Sequence, residues 1–198
     1  MKTLKRVAPS RKFTGKGVPP HISALLFWRW GFSDLRSNTT RGVLGEFLVA
    51  CALGLQMKPR TAWTSYDLEY KGKKIEVKTT AYLQTWNFGK ESKAGFRINP
   101  ASDWDPSKGM GKTKQFNADI YVLCFFNSKN PRDNEMDVDK WSFWVLSRAQ
   151  VLSIFGSGKW RSVEWMEKES GVGLIIFSSI KNEIARLGDI DHIIKFAQ

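Results

Sequence analysis

Asp67-Leu-Glu-Tyr-Lys-Gly-Lys-Lys-Ile-Glu-Val-Lys78 is the stretch on which the fold turns. Tyr66, Leu68 and Tyr70 alternate with Asp67 and Glu69, and Ile75 and Val77 alternate with Lys74, Glu76 and Lys78. Alternation at period two around a glycine-containing turn predicts a β-hairpin. With Lys71-Gly72 as a two-residue turn, Tyr70 faces Lys73, Glu69 faces Lys74 as a cross-strand charge pair, and Asp67 faces Glu76. Lys78 then lies two residues on, on the face of Glu76, while Tyr66, Leu68, Ile75 and Val77 gather on the other face. Facing carboxylates repel, and a cation between them would relieve the repulsion.

The pattern Asp-x8-Glu-x-Lys has the shape of a divalent-metal phosphodiesterase site. Mg2+ takes oxygen ligands, commonly one or two protein carboxylates, and keeps waters and substrate phosphate for the rest. Such an ion stabilises charge on a phosphate and makes water nucleophilic near neutral pH. An ammonium beside it, here Lys78, can orient the attacking water or stabilise the transition state. The same residues would also suit a solvated hairpin face.

Upstream, Arg41-Gly-Val-Leu-Gly-Glu46-Phe-Leu-Val-Ala-Cys-Ala-Leu53 reads as a helix, with Val43, Leu44, Phe47, Leu48, Cys51 and Leu55 in one apolar stripe. Ser37 to Thr40 offer N-cap candidates, and Pro59 blocks continuation beyond Gly54. Glu46 lies at the edge of the stripe, one turn from the small residues Gly42 and Ala50.

Helix and hairpin together resemble the PD-(D/E)XK, or restriction-endonuclease-like, nuclease superfamily over roughly residues 41–80. Tyr66 stands where the motif's proline would be. The resemblance implies Asp67, Glu76 and the Val77 carbonyl as ligands of Mg2+, with Mn2+ able to substitute. It also implies Lys78 beside the nucleophile, Glu46 as an accessory catalytic residue, and DNA as substrate. Gln84 matches a glutamine that some members carry after the catalytic strand. The expected fold is α/β, a mixed β-sheet flanked by helices in a restriction-endonuclease-like core.

The 198 residues suit one domain with a full core, and nine Trp with 42% hydrophobic residues exclude a disordered chain. A net charge of +12 and a pI near 9.8 point to a polyanionic partner. Residues 159–198 balance six cations with six acids, so the excess lies earlier; residues 1–33 hold seven cations and no acid. Residues 1–19 therefore read as a flexible basic arm ahead of a single nuclease-like domain, 20–198. That domain divides into a core of about 37–155 and an extension, 156–198. Lys5, Arg6, Arg11 and Lys12 of the arm are candidate phosphate contacts, as are Lys90, Lys93, Arg97, Lys112 and Lys114 of the long 86–117 connection. Trp86 and Trp104 are candidates for packing on bases or sugars. A two-fold homodimer would suit double-strand cutting.

Cys51 and Cys124 read as buried free thiols of a reducing compartment, and no zinc-ligand spacing exists. With neither a secretory leader nor an apolar run long enough for a membrane span, the expected location is intracellular, cytoplasmic or nucleoid-associated. Gly111-Lys112-Thr113 fails as a phosphate loop because Pro106 occupies the first glycine position. Asp133 to Asp139 fails as a calcium loop, with Val138 at position six and Trp144 at position twelve. Strands are expected over 95–99, 118–126, 141–146 and 174–178, and helices over 20–30, 148–155 and 183–196. The Trp residues of 20–30 are expected in the core. Two further readings remain: a catalytically silent nucleic-acid-binding module, and an interaction subunit using the Trp-rich 141–165 segment.

Overall fold

The computed structural model describes residues 4–61, 64–87, 90–105, 109–156 and 158–196. In chain order the elements are α1 (Ala24–Phe32), α2 (Asn38–Leu53), β1 (Leu68–Tyr70), β2 (Lys73–Ala81), β3 (Gly95–Arg97), β4 (Ala101–Asp105), β5 (Gly109–Gln115), β6 (Ile120–Phe126), β7 (Trp141–Ser147), α3 (Arg148–Phe155), β8 (Trp160–Ser162), α4 (Val163–Glu169) and α5 (Ile180–Phe196). Strands β1-β2-β6-β7 form the main sheet; β2 and β6 are parallel, and the outer pairs are antiparallel. The protein is thus α/β, with a mixed sheet flanked by helices.

The hairpin keeps the expected register at three pairs, Leu68 opposite Ile75, Glu69 opposite Lys74 and Tyr70 opposite Lys73. The fourth expected pair, Asp67 opposite Glu76, does not form, because Asp67 turns to bond Ile75 and Val77 instead. Lys71 and Gly72 both take positive φ, 49° and 76°, the mirror-image turn whose twist matches that of the flanking strands.

Apolar residues cover both faces of β6 and one face of β2. Ile120, Val122, Cys124 and Phe126 of β6 join Ile75 and Val77 of β2 and Phe143 and Val145 of β7 on one face. Leu48, Val49 and Leu53 of α2 and Ile184 and Leu187 of α5 pack over them. Tyr121, Leu123, Phe125, Trp144 and Leu146 point the other way, onto Phe96, α3 and α4. A strand covered on both sides must be apolar at every position, as 120–126 is.

Ser147 caps α3 and Gln150 returns a bond to its backbone, which fixes the helix where its sequence placed it. Ser37 caps α2, and Gly54 closes it in the left-handed conformation. The face α2 presents to the sheet differs from the stripe read from the sequence. Val49 is buried and Phe47 is half exposed, because Gly45 sits against Thr79 of β2 and sets the helix's rotation. A Cβ at Gly45 would overlap Thr79 Oγ1. Gly45→Ala should therefore lower stability by about 1–3 kcal/mol, and adding Thr79→Ala should restore most of it in thermal melts.

Three further expectations are corrected. The 174–178 strand reduces to a single bridge between Ile175 and Phe143, because a 3-10 turn at Phe177–Ser179 ends the pairing and starts α5 early. The 86–117 connection holds, besides the strand expected over 95–99 (β3, Gly95–Arg97), an unforeseen β4–β5 hairpin. The helix expected over 20–30 lies at 24–32, and its tryptophans are not core: Trp30 is 86% exposed, and Ala24 is the helix's only buried residue. Cys51 is half-buried and Cys124 fully buried, both free. Among the described residues no helix is long and apolar enough to cross a membrane.

Candidate active site

Regular pairing of β1 with β2 stops at Leu68, and Asp67 leaves the ladder there. Its N–H donates to Ile75 O (3.0 Å), and its Oδ2 accepts from the Val77 N–H (2.8 Å). The carboxylate thus stands in for the strand that has ended. The N–H and C=O of one strand residue leave on the same edge, so the Val77 carbonyl also lies on Asp67's side of β2.

Glu76 and Lys78 flank Val77 and project on the face away from α2, opposite Tyr121 and Leu123 of β6. Lys78 Nζ meets Glu76 Oε1 at 2.5 Å. Both line a cavity of about 320 Å3 with Arg97, Asn99, Asn117 and Tyr121. Glu46 comes from α2 and is held by Arg60 in a two-pronged ion pair, at 2.5 and 2.7 Å. Glu46, Arg60 and Asp67 line a second cavity of about 410 Å3. The four sequence-derived residues therefore gather around the end of β1, but in two openings, with Asp67 and the Val77 edge between them.

The charges interact across that edge. Burial, then the nearby Glu76 and Glu46 carboxylates, push the Asp67 carboxyl up to about 7 against the pull of the Val77 N–H and Lys78. Burial alone would lower the Lys78 ammonium. Glu76, Asp67 and Glu46 outweigh it and raise Lys78 above its ordinary value. The hydrogen bond to Glu46 raises Arg60 against its own burial. Behind the site, burial pushes the Cys124 thiol far up, reinforced by Asp67 and Glu46.

Carboxylate and carbonyl oxygens are the donor type that a hard divalent cation takes. Asp67 is a carboxylate pushed towards neutrality first by its burial and then by two neighbours of like charge, a shift that a cation would oppose. One carbonyl and one or two carboxylates are the share a protein usually gives Mg2+. Among the described residues no three His, Cys, Asp or Glu side chains close on a single point, so Val77 and solvent would have to complete the shell.

The candidate phosphate contacts divide. Arg97, at the end of β3, reaches the Glu76–Lys78 cavity, and Lys112 and Lys114 lie on exposed β5, whose last residue Gln115 lines the same cavity. Lys93 instead lines a hollow with Tyr82, Lys129 and Trp160, and Lys90 is exposed nearby in the chain. Lys5, Arg6, Arg11 and Lys12 are all exposed. Trp86 is exposed, and the Trp104 side chain lies outside the described set. Gln84 belongs elsewhere: it accepts from the buried Arg41 Nη1 (2.8 Å) and donates to Ala81 O (3.1 Å) at the far end of β2. Arg60, Asn117 and Tyr121 carried no local sequence signal, since their contacts with the site arise only from the fold.

Comparison with known proteins returned no matching family model, no similar curated protein and no similar solved structure.

Proposed function

We propose that the protein is a Mg2+-dependent DNA endonuclease with a restriction-endonuclease-like core of the PD-(D/E)XK type, acting inside the cell. The observation that carries this reading is the placement of Asp67, the Val77 carbonyl edge and the Glu76–Lys78 pair around the point where β1 ends. Asp67, Glu76 and Val77 would hold Mg2+, or Mn2+ in its place. The ion would neutralise charge on the scissile phosphate and lower the pKa of water.

Lys78 keeps its proton under the influence of three carboxylates, so it serves as a fixed positive charge for the phosphate and the incoming water. Arg97 shares the cavity and would orient a neighbouring phosphate. Glu46 would join the site on release from Arg60. Further contacts along the basic surface would make affinity fall with salt, by about 0.9 log units per neutralised phosphate per log unit of salt.

A second reading, a catalytically silent nucleic-acid-binding module, draws on the ion pairs. Glu76 and Glu46 already have cationic partners in Lys78 and Arg60. Incubation of supercoiled plasmid with the full chain separates the two. The nuclease reading expects nicking or linearisation in Mg2+ or Mn2+, and none in EDTA or with Asp67→Ala. Unchanged cutting by Asp67→Ala overturns it, and salt-sensitive binding without cutting supports the silent module.

A further inference from the structure

Helix α1 concentrates exposed apolar side chains. Leu25, Leu26, Phe27, Trp30 and Phe32 are all exposed on nine residues, a costly arrangement in water unless something covers it. The preceding strap fixes cations beside it. The Ala24 N–H donates to Arg11 O (2.9 Å), the Leu25 N–H donates to Pro9 O (3.0 Å), and Lys12 bridges to Ser23, the helix cap. Arg29 stands between Trp28 and Trp30, and residues 1–33 contain no acid. Further back, Arg6 Nη1 rests on Met57 Sδ (3.3 Å), next to Lys58 and Arg60, which line the Asp67 cavity.

We propose that α1 and its basic strap form a platform on which unpaired bases stack, so that the preferred partner is a nucleic acid carrying a single-stranded segment. The choice of partner rests on the nuclease reading above, and three observations favour it. Aromatic rings interleaved with arginine bind bases by stacking, whatever the sequence. Cations stand both beside the helix, at Arg11 and Lys12, and at the rim of the Asp67 cavity, at Lys58 and Arg60, with Arg6 of the same strap against Met57. A second copy docked through the same segment would set seven cations against seven with no acid between them. A lipid surface could take the helix, yet would leave the cations at the cavity rim without purpose.

The test is fluorescence anisotropy of the full chain in EDTA, where no cleavage intervenes, with labelled oligothymidine and a blunt duplex of equal length. The Phe27→Ala/Trp30→Ala variant should weaken oligothymidine binding by about tenfold or more and duplex binding by less than about twofold. Trp30→Tyr should stay near the parent on both. Circular dichroism should show the fold intact, because these side chains are exposed.

Equal losses on both ligands, or no loss on the single strand, overturn the platform. So does an intact single-strand affinity accompanied by lost binding to phosphatidylserine vesicles, or by a lost dimer in sedimentation. Failure of the nuclease reading shows separately, as absence of Mg2+-dependent cutting by the parent chain, and leaves the anisotropy result standing.

Discussion

Lys78→Met is expected to slow metal-dependent phosphodiester cleavage by about 10^2–10^4-fold, the range for losing one positioned proton-transfer or charge-stabilising group. Divalent-metal affinity should be kept or tightened in the same variant. Lys78 is a resident cation beside Glu76, so its removal leaves a stronger anionic field for an incoming ion. Methionine keeps the length of the apolar stem without the charge. Single-turnover cleavage and a Mn2+ titration on one preparation measure both halves. A rate within about threefold of the parent would contradict the role given to Lys78. Loss of metal affinity would instead make it a structural support.

Asp67 should impose a pH dependence on stability whose sign is unusual for a carboxylate. The folded chain holds the Asp67 proton up to about 7, whereas the unfolded chain releases it near 3.8. Between those values the folded state binds more protons, so unfolding free energy falls as pH rises from about 4 to about 7. The penalty is fully present above that window. A separation of about three pH units corresponds to at most roughly 4 kcal/mol. Asp67→Asn keeps an oxygen for the Val77 N–H but cannot ionise, so it should be the more stable protein at pH 8 by up to that amount. At pH 4 the two should be alike. Urea unfolding in EDTA at both pH values tests this, and subtracting variant from parent cancels the other titrating groups. An equal difference at the two pH values would contradict a buried, crowded Asp67.

The legible parts of the chain were those whose signal is local. Alternation about Lys71-Gly72 set the register of β1 and β2, apolar runs marked β6 and β7, and the Ser147 cap marked α3. The β4–β5 hairpin escaped because its described side chains are mostly exposed, leaving no apolar face to betray a period. Helix α1 was misjudged because hydrophobic residues read as core, while burial depends on what packs against them. Glu46 could be singled out on its helix, but its partner Arg60 lies beyond the intervening Gly54 and Pro59 turn. Asp67's exit from the ladder was likewise hidden, since a strand's end is decided by hydrogen bonds that residue type alone does not fix.

Calorimetric titration of the full chain with Mn2+ at pH 7, beside Asp67→Asn and Glu76→Gln, reaches the central claim most directly. The parent should bind with a release of protons, because Asp67 is only partly ionised at that pH, and both variants should lose most of the affinity. Parent and variants that bind alike, or a parent that binds no metal at all, would contradict a cation site at the end of β1.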